Sequence, residues 1–371
     1  MKVLQLFGGM IRRGGEEMFV LNCLKNFNTP EICFDCLVIE DCDNDEFRQV
    51  IAALGGSLYE LNIPLHATRF INHIYKPVCA FFREHSYDVV HIHSSSIAAI
   101  AVLSAAAKRA GTPKVIVHSH STGKVDSFEH KIFRFLASLS MRGKVDVYCA
   151  CSVDAAQWKF APKYAAKAHI IRNGIDVESF RFNEDTRRVI RDSLGIPSES
   201  FVVGHVGRLC RLKNQAFLID VFAGIAEADS AARLLLLGDG EDGDKLRRSV
   251  RDNGLSDRVI FTGNVGNVNE YMSAMDVFAF PSEYEGLGIV AIEAQCAGLP
   301  VVASTGVPAE IKLTENVSFL PVTDSPDSKK AWEQKITELR AIPRKDEADT
   351  VRSAGYDIRS TVERLKEIYL G

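Results

Sequence analysis

The segment FPSEYEGLGIVAIEAQCAGLPVVAS carries two carboxylates eight residues apart, Glu285 and Glu293, with Gly286, Leu287 and Gly288 opening a helix-like run between them. Amides at such an opening hold a phosphate. Eight residues are about two helical turns, so Glu293 lies deeper on nearly the same face. The carboxylate near the loop can touch a sugar while the other accepts hydrogen bonds from ribose hydroxyls. An arbitrary pair of helix carboxylates is usually a solvated face, but the glycines and apolar residues around this pair weaken that reading. Upstream, GHVGRLCRLKN sets Arg208 and Lys213 after a strand-like run and at the start of a helix. An Arg fork and a Lys point charge converging there suit a diphosphate; taken alone, they are equally two solvated charges.

A third candidate is GGMIRRGGEEMF, where Gly14 and Gly15 can bring backbone amides close to a phosphate at a helix start. The dinucleotide fingerprint GxGxxG is absent, and no acidic partner stands about 20 residues on. Histidines pair at strand ends, His91 with His93 and His118 with His120. Alternation puts each pair on one side of its strand, which is compatible with zinc, yet the sequence names neither a third ligand nor its supporting partners. His118 is therefore read as a hydrogen-bond donor in a cleft. Cys33 and Cys36 form CxxC inside a strand-like run, where residues three apart face opposite sides, so small buried side chains are the default.

Elements that could position these residues follow from the hydrophobic pattern. Short β-branched runs alternate with longer amphipathic stretches throughout, the pattern of βα units around a parallel sheet. Seven strands are predicted in the first half, at 2–7, 33–39, 57–61, 88–93, 114–118, 146–150 and 168–172. Turn chemistry at Arg172–Asp176 and a polar stretch to Ser200 read as an inter-domain connection. Six more strands follow at 201–206, 232–237, 258–261, 276–280, 300–303 and 318–320. The fold class is α/β, with two Rossmann-like domains facing a deep cleft and ligands beyond the strand carboxyl ends.

At 371 residues the chain suits two domains. Its 46% hydrophobic and 25% charged residues exclude disordered and disulfide-scaffold classes. A net charge of −4 gives no drive toward nucleic acid. Nine cysteines without a regular framework, and a start lacking a signal-peptide pattern, fit a reducing cytoplasm. The longest apolar run, 97–107, is about half of what a membrane span needs. Residues 60–172 hold 15 Lys+Arg against 7 Asp+Glu. Within them HKIFRFLASLSMRGK, at 130–144, reads either as a core-packed helix or as a basic amphipathic helix for an anionic membrane surface.

Taken together and in this order, the GGEE loop at 14–17, HSH at 118–120, RNGID at 172–176, GRLCRLKN at 207–214 and PSEYEGLGIVAIEA at 281–294 resemble the retaining GT-B-fold glycosyltransferases, family 4 type, of the exopolysaccharide and capsule branch. The resemblance implies an acceptor-binding domain at 1–175, a nucleotide-sugar-binding domain at 176–354 and a terminal helix at 355–371 crossing back to the first domain. It implies transfer of a hexose or N-acetylhexosamine from a nucleotide sugar, UDP-linked, to a glycan or lipid-linked acceptor with retention. By the same resemblance Gly15 meets the distal phosphate, Arg208 and Lys213 neutralise the leaving diphosphate, and His118 and Glu285 contact the transferring sugar. Gly286, Leu287 and Gly288 support phosphate or sugar, and Glu293 binds ribose. No cofactor and no metal are expected, because no carboxylate metal motif accompanies the phosphate loop. The expected location is cytoplasmic, peripheral on the inner face of the membrane. Other readings of the same fold are a nucleotide-sugar epimerase and a catalytically silent nucleotide-binding subunit.

Overall fold

The computed structural model describes residues 1–12, 14–64, 72–121 and 128–371. The chain divides into two compact units, one made of Met1–Gly174 with Ile358–Gly371 and the other of Ile175–Asp357.

The first unit is built on a seven-stranded sheet in the order β3-β2-β1-β4-β5-β6-β7, every pairing parallel. Its strands are β1 Lys2–Phe7, β2 Cys33–Val38, β3 Leu58–Glu60, β4 Val89–His93, β5 Lys114–Ser119, β6 Val147–Ala150 and β7 His169–Ile170. Parallel strands must return through helices, which bury both sheet faces, and this is why they read as unbroken apolar runs. One face packs Leu4, Leu6, Val90, Ile92 and Val117 against helices Asn72–Glu84 and Ile97–Arg109. The other packs Val3, Phe7, Phe34 and Ile116 against helix Gly15–Asn26 and the terminal helix Ile358–Leu370.

That terminal helix is tied down by specific contacts. Lys114 Nζ donates to the carbonyls of Ile368 at 2.9 Å and Tyr369 at 3.1 Å, placing a cation on the negative end of the helix. A Cβ on Gly174 would lie 2.5 Å from Thr361 Oγ1 and 2.6 Å from Ile358 Cα, so only glycine lets the helix start so close.

The second unit repeats the topology with six parallel strands in the order β10-β9-β8-β11-β12-β13. They are β8 Val202–Val206, β9 Arg233–Leu237, β10 Val259–Gly263, β11 Val277–Phe280, β12 Val301–Ser304 and β13 Val317–Leu320. The polar stretch read as a connection contains a helix of this unit, Glu184–Ser193. Its anchor is Asp276, whose two oxygens accept from Arg187 at 2.6 Å and Arg191 at 2.8 Å. Such docking by charge leaves no apolar periodicity to read.

In both sheets the order reverses beside the first strand, between β1 and β4 and between β8 and β11. These switch points open crevices at the strand carboxyl ends where ligands of such sheets bind.

Candidate functional site

At the switch point of the second unit, the chain leaves β8 through Gly207 and a short turn, Arg211–Lys213. Lys213 Nζ meets Glu285 Oε1, from the loop after β11, at 2.5 Å, and lies 5.5 Å from the centre of the Phe280 ring. The two side chains are 24% and 11% exposed, so this ion pair is only partly shielded by water. A Cβ on Gly207 would lie 3.5 Å from the Lys213 stem and 3.3 Å from His205 Nε2. The glycine keeps that corner open.

Beneath the pair, His205 donates from Nδ1 to the Ala279 carbonyl at 2.9 Å and accepts at Nε2 from Gln215 at 3.1 Å. Burial drives its pKa down to about 4, which keeps the ring neutral. Gln215 Nε2 also donates to the Arg208 carbonyl at 2.9 Å and so fixes the backbone of the basic turn. The Arg208 side chain itself is exposed and paired with Glu241 at 3.0 Å, so the structure brings Lys213 and Glu285 together but places Arg208 on a separate pair.

Gly288 adopts φ 84° at the start of helix Ile289–Cys296, and a Cβ there would lie 2.9 Å from Phe280. Gly286 has open space around it, and Leu287 is buried in the core beside Phe280. Glu293 is half-buried on this helix with no hydrogen-bond partner among the described residues. Burial pushes its carboxyl up to about 7. A group so placed gains most from hydroxyl donors.

In the first unit Gly14 caps helix Gly15–Asn26. A Cβ on Gly14 would lie 2.4 Å from Glu17 Oε2, whereas Gly15 has nothing within 4 Å. The Glu17 carboxylate, three residues into the helix, folds back toward the backbone of Arg12 and Gly14. Of the two glycines read as phosphate contacts, Gly15 is the open one. Behind them stands a pair without any sequence signal. Lys159 is 1% exposed and donates to the Ser94 and Ser95 carbonyls. Burial lowers its pKa to about 8 and raises that of Glu16 to about 8, each charge opposing the other's shift.

His118, read as a donor at a strand tip, is fully buried. The physical reason is that β5 continues to Ser119 and helix Gly15–Asn26 lays Phe19 on the ring, 5.0 Å between centroids. The residue that emerges, half-buried, is His120. Cys33 is exposed and Cys36 buried, and all nine cysteines are free. In helix Phe128–Met141 the apolar residues Ile132, Phe135, Leu136 and Leu139 are about half exposed, while Ala137 and Met141 are buried. The side chains of Lys131 and Phe133 lie outside the described residues. Among the described residues no helix is long and apolar enough to cross a membrane.

The family described as Glycosyl transferases group 1 matches residues 186–352, and Glycosyltransferase Family 4 matches residues 38–179. The chain is 29% identical to EpsF of Bacillus subtilis (strain 168), named as a glycosyltransferase, over 99% of this chain and 96% of that one. It is 28% identical, over 60% of this chain and 59% of the other, to an Escherichia coli UDP-Gal:alpha-D-GlcNAc-diphosphoundecaprenol alpha-1,3-galactosyltransferase. Among solved structures, Anabaena HepE in complex with UDP and glucose superposes with a TM-score of 0.75 at 22% identity, covering 99% of both chains. A glycosyltransferase from Rickettsia africae gives 0.78 at 16% identity, covering 99% of this chain and 97% of that one. These likenesses establish the GT-B fold.

Proposed function

From a chain that carries a family 4 glycosyltransferase domain followed by a group 1 glycosyltransferase domain, we propose a retaining enzyme that moves a hexose or N-acetylhexosamine from a UDP-sugar to a glycan or lipid-linked acceptor in surface-polysaccharide assembly. The observation that carries this reading is the meeting of Lys213 and Glu285 at the switch point of the second sheet, with the unpartnered Glu293 on the helix that follows.

In the transfer, the bond between the anomeric carbon and the diphosphate oxygen breaks, the acceptor oxygen bonds that carbon on the same face, and the departing diphosphate takes the acceptor's proton. Lys213 stabilises the departing diphosphate as fixed positive charge aimed at a forming anion, and Arg208 adds a second cation on its exposed side. Glu285 leaves Lys213 to hydrogen-bond hydroxyls of the sugar, and Glu293 accepts from the ribose. The amides at Gly286–Gly288 and the open amide of Gly15 meet phosphate oxygens. His118, expected from the sequence to contact the sugar, is enclosed under Phe19 and is left out of the proposed contacts. UDP as the nucleotide rests on the galactosyltransferase relative's name and the HepE complex. The exopolysaccharide branch rests on EpsF. Membrane docking rests on the exposed stripe Ile132, Phe135, Leu136 and Leu139, whose spacing is one helix face.

A panel of nucleotide sugars, screened first for thermal stabilisation and then for acceptor-dependent release of nucleoside diphosphate, tests the reading. Release that requires an acceptor supports transfer. Interconversion of the donor without acceptor overturns it in favour of an epimerase.

A further inference from the structure

The zinc reading of the histidine pairs lacks, in the sequence, a third ligand and supporting partners; the structure holds both. Strands β4 and β5 lie side by side with His93 opposite His118, so His91, His93, His118 and His120 project from one sheet face beside the β1/β4 switch point. One ring nitrogen from each of His91, His93 and His118 lies within 4.8 Å of the other two. His91 Nε2 is 3.3 Å from His118 Nδ1. Two nitrogens on one tetrahedral zinc, each about 2.0–2.1 Å from the metal, stand at about that separation.

Outer partners occupy the opposite edges of two rings. His91 Nδ1 is 2.7 Å from the Tyr369 hydroxyl, and His93 Nε2 is 2.8 Å from Gln5 Oε1. Gln5 Nε2 in turn donates to Tyr369 at 3.1 Å, so one amide ties the two arms together. A ligating imidazole usually gives its other N–H to such a partner, which fixes the ring and its tautomer. His93 is fixed so that Nε2 carries the proton and Nδ1 a lone pair. His120 Nε2 stands 2.8 Å from that lone pair, nearer than two ligands of one tetrahedral zinc stand to each other, so it is not counted among the ligands.

Hydrogen bonding alone leaves this cluster incomplete. Each neutral ring has one N–H and one lone pair. Following the bonds outward from Gln5, the chain through Tyr369 and His91 ends at His118 Nε2, and the chain through His93 ends at His120 Nδ1. Both end atoms are buried without a partner among the described residues, and both lie on the far edges of their rings from the nitrogens that face His91 and His93. Four imidazoles packed against one another, with no carboxylate among them, offer lone pairs to a cation that prefers nitrogen. A small cavity lined by Gln5, Phe19, His91, His93 and Tyr369 borders them.

We propose that His91, His93 and His118 bind a zinc-class divalent ion at the β1/β4 switch point, with Gln5 and Tyr369 orienting the first two. This departs from the metal-free expectation drawn from the sequence. The site lies in the first unit and involves none of Arg208, Lys213 or Glu285, so it has no part in holding the diphosphate.

The test uses the full chain. Protein grown with zinc and desalted is expected to carry about one zinc per chain by elemental analysis, and cobalt exchange to give the visible absorption of a four-coordinate ion with nitrogen ligands. His91→Asn and His118→Asn should each weaken cobalt binding at least 100-fold. Tyr369→Phe, which keeps the packing, should weaken it about 10–100-fold, an effect that a merely structural hydroxyl would not produce. Should the histidine variants fail to fold, the cobalt spectrum of the unaltered chain and Tyr369→Phe still decide. The proposal is overturned if zinc is far below one per chain and added cobalt gives no such spectrum. A thiolate-to-cobalt charge-transfer band, placing the ion on cysteine, overturns it as well.

Discussion

The Lys213 ammonium lies 2.5 Å from the Glu285 carboxylate, which gives the strongest candidate cation of the second unit an internal counter-ion. A diphosphate arriving at Lys213 exchanges one anion for another and releases Glu285 toward the sugar. The pair thus couples nucleotide binding to the placing of a sugar contact.

Lys213→Ala should weaken UDP binding by about 1.5–3 kcal/mol, the range of a charge-assisted hydrogen bond. Arg208→Ala should cost less, because its side chain is 66% exposed and screened by water. Calorimetry on the double variant decides: unchanged affinity would remove both residues from the diphosphate site. Adding magnesium or manganese should leave turnover within about twofold, since fixed cations already serve the leaving group.

The two glutamates should separate in kinetics. Glu285→Gln is expected to depress turnover at least tenfold with UDP affinity within about threefold, and Glu293→Ala to weaken UDP affinity about tenfold. Equal loss of nucleotide binding in both would contradict the division of roles.

Glu293 also predicts a pH dependence with a definite sign. Its carboxyl titrates near 7 in the folded chain against an ordinary 4.5, so between those values the folded state holds the extra proton. Its contribution therefore favours folding in acid and is lost as pH rises through about 7. Glu293→Gln removes the penalty and should raise stability at pH 8 by on the order of 1–3 kcal/mol, with little gain at pH 4.5. Denaturant melts at the two pH values check this. A variant equally stabilised at both would assign the effect to packing.

Vesicle sedimentation tests the helix Phe128–Met141. Its exposed Phe135 and Leu136 predict binding to anionic liposomes at low salt and release as salt is raised. Phe135→Ser with Leu136→Ser should reduce the bound fraction severalfold. Equal binding to neutral and anionic vesicles, or binding to neither, would favour a soluble acceptor.

All thirteen strands were legible because buried parallel strands announce themselves as β-branched runs. The helical-pitch reading of the Glu285–Glu293 spacing did not carry over, because Glu285 stands in the loop after β11 and the helix begins only at Ile289. What escaped was long-range. Nothing around Lys159 in DAAQWKF marks a buried ammonium, since its partners are the carbonyls of Ser94 and Ser95. Gln5, a lone amide in an apolar strand, was a visible anomaly, but its partners His93 and Tyr369 are 88 and 364 residues away. His118 was misplaced because one further residue of strand decides whether a side chain sits at a tip or under a helix. That residue depends on pairing with β6, which no local pattern reports.

The helix Ile358–Leu370 belongs to the first unit yet follows the whole of the second unit in the chain, so it is made after it. On a ribosome adding about 5–20 residues per second, all of Ile175–Asp357 intervenes, a delay of roughly 10–40 s. Through that time the sheet face that Val362, Leu365 and Tyr369 will cover is without its lid, and His91 is without its hydroxyl partner. The second unit, continuous in sequence, can complete itself first. Order of synthesis and order of folding therefore run in opposite directions in this chain, and its exposure to misfolding is concentrated in the half that emerges earliest.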